Sequence, residues 1–328
     1  MTIHYQPQPP FLARRRALWH IASVSESALL LGIVFLFGLI VGSFLNVCIW
    51  RIPQDQSIAF PASHCTKCNA PIRPLDNIPV LSWVLLGGKC RDCRAPISPL
   101  YPFVELLTGI AFAACVWQFD LTREGAKWAV FLAILIVLFF ADIYFRLLPD
   151  EVNLFGAIAG LAFSVLIPLQ DGTAAWLANR LLGAKLSVAS ASLADAVLGG
   201  SVVALGLWMF AEAYSRLRRR PQMGLGDVKM MAMLGLFLGI KRSYLALLLG
   251  TILGSVLGLI AILVCYQIGW KRGVAIRAAR RGMGTETALR WTLAQRYQLP
   301  LGTFLAVGAA AAVFAAGPIL EWYGSFFD

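Results

Sequence analysis

The sequence predicts an all-α polytopic membrane protein with about eight transmembrane helices and a small cytoplasmic zinc-binding domain between helices 1 and 2. Three observations carry that fold class. Of the 328 residues, 59% are hydrophobic and only 14% charged, where a soluble domain carries about a quarter charged residues. The apolar residues gather into stretches long enough to cross about 30 Å of hydrocarbon. Between the first two stretches the hydropathy falls, and two Cys-x-x-Cys pairs appear.

Taken in order, residues 1–27 form an N-terminal arm with the triplet Arg14, Arg15 and Arg16. Residues 28–50 are the first transmembrane helix. This run exceeds the roughly 7–15 residues of a signal-peptide core. It ends in GSFLNVCIWRIP rather than in small residues, so it reads as a retained span. Residues 51–100 form the tetracysteine domain. Residues 101–328 form the membrane core, with further spans at Tyr101 to Phe119, Trp128 to Leu148, Val152 to Leu169 and Leu193 to Leu217. The last three are Asp227 to Ile240, which is short for a crossing, Ser243 to Gln267 and Pro300 to Tyr323. A basic loop, 270–298, precedes the last.

Lys and Arg set the orientation, because positive residues favour the cytoplasm. With the tetracysteine domain inside, that side holds most of the 28 basic residues; only the arginine triplet argues locally the other way. The formal net charge of +11 therefore belongs to topology and to attraction for anionic lipid, and no nucleic-acid partner is expected. The chain has no nucleotide-binding glycine loop, no HExxH and no obvious repeat. The small-residue stretches Gly250 to Gly258 and Gly302 to Gly317 predict close helix packing rather than a functional role.

HCTKC and KCRDC place Cys65, Cys68, Cys90 and Cys93 in two turns. Each turn presents two thiolates, and two turns complete a tetrahedron, the pattern of a structural zinc site. Disulfides are the alternative, disfavoured on a reducing face. Four sulfurs leave no open coordination position, so the metal clamps a segment too small for its own core. His64 reads as a neighbour rather than a ligand, and Cys48, Cys115 and Cys265 as buried apolar residues.

Two acids stand inside apolar runs. Asp142 lies in FFADIYFRLLPDE and Asp227 in MGLGDVKMMAMLG. Intramembrane acids are costly and point to function. In the expected topology both lie at the cytoplasmic ends of their spans, where two carboxylates sharing a proton could activate water and polarise a carbonyl. Gly224 and Gly226 offer positive φ and close backbone approach, while Pro149 ends the span that holds Asp142. Plainer roles stand beside these: Asp142 paired with Arg146 one turn on, Asp227 as a helix N-cap, and Asp150 as the cap of the next helix. Lys229, two positions from Asp227, points to another face. A proton-coupled transporter or assembly scaffold would also use such acids.

GSFLNVCIWRIP, SHCTKC, DNIPVLSWVLLGGKCRDCRAPIS, YPFVELLTG, DIYFRLLPD and GLGDVKMMAMLG occur in this order. Together they resemble the bacterial type IV prepilin peptidases, GxGD intramembrane aspartyl proteases, from the first span to about Gly235. The resemblance implies an inner-membrane enzyme that cuts the basic leader from prepilins or type II secretion pseudopilins at the cytoplasmic face. It also implies N-methylation of the new N-terminus with S-adenosylmethionine. It places the catalytic pair on Asp142 and Asp227 and the zinc ligands on the four cysteines. Where many members carry a second acid two residues after the first, this chain has Tyr144. No residues are assigned to S-adenosylmethionine. Glu105, in YPFVELLTG, is the expected recognition residue for a basic leader, or else a buried partner of an arginine.

Overall fold

The computed structural model describes residues 24–169, 171–218, 224–265, 282 and 300–324. Most of the N-terminal arm and of the 270–298 loop, with the side chain of Cys265, lies outside the described residues. Regular structure among the described residues is helical, with two isolated β-bridges. The helices are α1 (Val24–Arg51), α2 (Leu81–Leu85), α3 (Leu100–Phe119), α4 (Arg123–Phe145), α5 (Asp150–Leu166), α6 (Thr173–Leu182), α7 (Val188–Arg218), α8 (Leu225–Cys265) and α9 (Leu301–Gly324). Two compact units share them, one of residues 1–44 and 63–126, the other of residues 45–62 and 127–328.

Six helices among the described residues are long and apolar enough to cross a membrane: α1, α3, α4, α7, α8 and α9. The sequence predicts eight. One of the two missing segments is α5, which is 17 residues long. The other expected pair, Asp227 to Ile240 and Ser243 to Gln267, is continuous as α8, 41 residues long. At 1.5 Å per residue a straight helix of that length would run about 60 Å, twice the hydrocarbon thickness. Gly239 breaks it, with φ 76° and ψ −176°, a conformation open essentially to glycine alone. Asp171, buried, caps the second half: its Oδ2 accepts the Lys241 N–H at 3.0 Å, and its carbonyl accepts from Lys241 Nζ at 2.7 Å. Removing this acceptor in Asp171→Ala strands a half-buried amide, which costs about 1–3 kcal/mol. The detergent-solubilised variant should melt lower than wild type, and an unchanged Tm would show that the clamp carries no stability.

In the first unit the tetracysteine segment contains a repeat that the sequence reading did not recognise. Cys65–Ile72 and Cys90–Ile97 fold alike. Each first cysteine donates its N–H to an alanine carbonyl (Ala70, Ala95), and each pair is followed by a left-handed residue, Asn69 at φ 56° and Arg94 at φ 59°. The bridges His64↔Pro71 and Lys89↔Pro96 close the two loops. Arg91 grips Asp76 across the segment, with Nε 2.8 Å from Oδ2, and this guanidinium holds the Asp76 carboxyl below the usual carboxylate range. The sign follows: the pair's contribution is complete above the ordinary carboxylate pKa and is lost as pH falls through the lower folded value. The Tm difference between wild type and Asp76→Asn should therefore shrink on acidification; a difference that grew would exclude this ion pair as its source.

The second unit is built around α4, whose residues Phe131 to Leu138 are all buried. A helix apolar all round belongs inside a bundle. Its Phe131 ring meets Phe237 of α8 at 4.6 Å, and Phe163 of α5 meets the same ring at 6.2 Å. The methionines after Asp227 are core as well: Met230, Met231 and Met233 are fully buried. As expected of the small-residue stretches, α8 and α9 pack backbone to backbone, and a Cβ on Gly308 would lie 2.7 Å from the Gly250 nitrogen. Helix α6, which the sequence reading did not anticipate, starts where buried Asp195 of α7 accepts the N–H groups of Gly172 and Ala174, at 3.0 and 2.6 Å.

Candidate active site

Asp142 stands in the last turn of α4. The helix stops there because Arg146 turns left-handed at φ 53°, its N–H still bonded to the Asp142 carbonyl at 2.9 Å. The carboxylate is buried, and its partner is not Arg146, which reaches it only as a more distant charge. Instead its Oδ2 accepts two bonds from Thr303, from the backbone N–H at 2.7 Å and from Oγ1 at 3.1 Å.

Asp227 stands in the first turn of α8, near enough to Asp142 for their charges to interact directly. It is not the N-cap, since α8 begins at Leu225. The Gly302 N–H is directed to its carboxylate. Two successive amides at the start of α9 therefore serve the two acids, Gly302 for Asp227 and Thr303 for Asp142. First-turn amides have no partner within their own helix, which is why they are free to do so. A side chain at 302 would intrude: a Cβ there would lie 3.0 Å from Asp142 Oδ2 and 2.9 Å from Leu148 Cδ1.

The glycines of GLGD work differently from the expectation. Neither Gly224 nor Gly226 has positive φ. Gly226 permits close approach, since a Cβ there would meet Leu148 Cβ at 3.2 Å, whereas a Cβ on Gly224 would make only an ordinary contact, 3.9 Å from the Gly226 nitrogen. Asp150 is not a cap either. Helix α5 has Pro149 at its N-cap position with no side-chain cap, and the Asp150 carboxylate takes Lys229 Nζ at 2.6 and 2.8 Å. This pair ties the first turn of α5 to the first turn of α8. Tyr144, in the place of a third acid, packs on Trp50 at 5.7 Å.

In the first unit, Cys65 and Cys93 have sulfurs 3.8 Å apart, Cys68 and Cys90 4.0 Å, and all four Sγ atoms fall within 4.8 Å of one another. Disulfide sulfurs would stand about 2.05 Å apart. Tetrahedral zinc, with Zn–S near 2.3 Å, sets sulfurs about 3.8 Å apart. The four cysteines fit such an ion, and His64 is not among the converging groups. Backbone N–H groups of Cys68 and Lys67 pull the Cys65 thiol down to about 6, which favours the thiolate that a metal needs. Glu105 is buried, its Oε2 accepting the Val80 N–H at 2.7 Å, with Ser43 as a second partner. Among the described residues no arginine pairs with it, and its bonds are those of an internal tie.

Residues 129–259 match the model of the type IV leader peptidase family, and residues 36–119 match that of the bacterial peptidase A24 N-terminal domain. A prepilin leader peptidase/N-methyltransferase of Aeromonas hydrophila is 32% identical over 316 residues, covering 89% of this chain and 92% of that one. The chain belongs to the type IV leader peptidase family. Another relative with the same description, from Bacillus subtilis (strain 168), is 30% identical over 294 residues, with 90% and 98% covered. A third, from Myxococcus xanthus (strain DK1622), is 37% identical over 205 residues, with 62% of this chain and 55% of that one covered. No solved structure matches significantly. Within this leader peptidase the sequence reading missed Gly302 and Thr303, which it assigned to helix packing. The available signal was Pro300: a proline just ahead of an apolar run marks a helix start, where unpaired amides await an acceptor.

Proposed function

We propose that this chain removes the basic leader from prepilins or type II secretion pseudopilins at the cytoplasmic face of the inner membrane, with Asp142 and Asp227 as the catalytic dyad. The observation that carries this reading is the meeting of two carboxylates from α4 and α8 at the amino end of α9. Two acids so close share one proton and titrate as a unit. The ionised member takes a proton from water as the water oxygen bonds to the scissile carbonyl carbon, and the protonated member gives its proton to the carbonyl oxygen. The tetrahedral adduct then collapses: one of its hydroxyls returns a proton to the dyad, the C–N bond breaks, and the leaving amine takes up the other proton of the dyad, which ends with one proton as it began. Thr303 fixes the Asp142 oxygen, and Gly302 keeps the space beside it clear.

The cysteines Cys65, Cys68, Cys90 and Cys93 would hold a structural zinc ion, which supplies no step of the hydrolysis. N-methylation of the new N-terminus with S-adenosylmethionine is part of the proposal by family membership, without residues assigned to that cofactor. A proton-coupled transporter or assembly scaffold has no supporting observation.

The test is cleavage of a prepilin by the purified, detergent-solubilised protein, followed by mass spectrometry with and without S-adenosylmethionine. Loss of the leader supports the peptidase, and an added methyl mass supports the second activity. A folded protein that leaves the prepilin whole excludes both. In the same assay Gly302→Ala should cut about 10- to 100-fold more slowly, because displacement of a catalytic group by about 1 Å costs on that order. A wild-type rate would remove Gly302 from the site.

A further inference from the structure

The segment between the two Cys-x-x-Cys turns is built with its polar side inward. In α2 the buried residue is Ser82. Its hydroxyl donates to the Leu75 carbonyl at 2.8 Å and accepts the Ile78 N–H at 3.1 Å. Trp83 turns its indole N–H to the Ile97 carbonyl at 3.1 Å. The large apolar residues point outward: Leu75 is 77% exposed, Leu81 51%, Val84 62% and Leu85 75%. A module surrounded by water would bury these side chains, and contiguous apolar patches mark contact with another phase or partner.

One hydrogen bond sets the depth of this segment. Val80, immediately before α2, donates its N–H to Glu105 Oε2 at 2.7 Å. Val80 holds a costly positive-φ conformation, φ 61° and ψ −50°. Glu105 lies five residues into α3, about 8 Å along a helix that crosses the membrane. Phe103 and Leu106, in the same turns of α3, also expose their side chains, so the apolar surface of α3 begins at that level. The polar flanks carry Lys67, Arg73, Lys89, Arg91 and Arg94 against Asp76 and Asp92, an excess suited to anionic headgroups.

We propose that Leu75–Leu85 lies in the boundary between headgroups and acyl chains of the bilayer that α3 crosses, so that the tetracysteine knuckle is docked on the membrane rather than extended into water. The apolar residues enter the lipid, the basic residues meet the phosphates, and Glu105 is the internal post that holds the segment at this depth. The proposal depends on α3 as a span and not on peptidase activity.

The test places the photocrosslinker p-benzoylphenylalanine at position 85 of the full-length protein, in nanodiscs of phosphatidylethanolamine and phosphatidylglycerol. Position 69, exposed on the first cysteine turn, is the water-facing reference. After irradiation, mass spectrometry should find lipid adducts at 85, where the side chain sits in the acyl boundary, and only background at 69, with no loss when prepilin is added. Adducts to prepilin in place of lipid would make this face a peptide-docking surface and overturn the proposal. Equally low adducts at both positions would place it in water and overturn it too. Should the variant at 85 lose bound metal, position 84 gives the same reading.

Discussion

Leader cleavage falls by about 10²- to 10⁴-fold in Asp142→Asn, and equally in Asp227→Asn, the range that a positioned acid or base contributes. Asparagine keeps the size and one oxygen of aspartate, so the Thr303 N–H that bonds Asp142 retains an acceptor at position 142. The helix ends should stay in place and the Tm should hold. What disappears is the shared proton: an amide neither takes one from water nor gives one to the carbonyl oxygen. The double variant should be no worse than either single one, because residues that act as a unit are not additive. Prepilin turnover near wild type in either variant would end the dyad assignment. A variant that also lost its fold would be replaced by Glu at the same position, which keeps the acid but moves it.

Removing the metal has the second large effect, and a different kind. Purified wild-type protein should carry one zinc per chain, and Cys68→Ser or a strong chelator should release it. Structural zinc contributes about 10–16 kcal/mol in small zinc-finger peptides, more than a module this size can draw from its own core. Among residues 63–98 only Ser82, Gly88 and Cys90 are buried, with a few half-buried neighbours. The stripped knuckle should therefore become sensitive to protease between Ser63 and Ser98, while the helices of the second unit keep their protection. Metal-free protein with four reactive thiols and an unchanged digestion pattern would refute the zinc assignment.

Much of this was legible in the sequence, and the parts that were not share a cause. Composition and run length identified six of the spans, though α5 was too short and the pair in α8 was counted as two, and two isolated acids in apolar surroundings announced themselves through the cost of putting them there. The cysteine spacing announced a tetrahedron. Thr303 and Gly302 did not stand out, because small residues in an apolar run look the same whether they pack a helix or free its first amides. Asp150 resembled a cap because it follows Pro149 at a helix start, yet Lys229 of a different helix claims it, and such a pairing is invisible before the bundle is assembled. The expected spans were divided between Ile240 and Ser243, and the backbone puts the break at Gly239, where φ is 76°. Hydropathy supplies the segments, while the pairings that cross between them require the fold.

The bond from Thr303 to Asp142 joins residues 161 positions apart, and that separation is also an interval of time. A ribosome adding about 5–20 residues per second needs about 10–30 s to travel it. From residue 227 onward the growing chain carries both acids but still lacks the amides that hold them. With the proposed dyad, proteolytic competence arrives with α9. On the proposed dyad, a chain stalled before residue 302 has no peptidase activity.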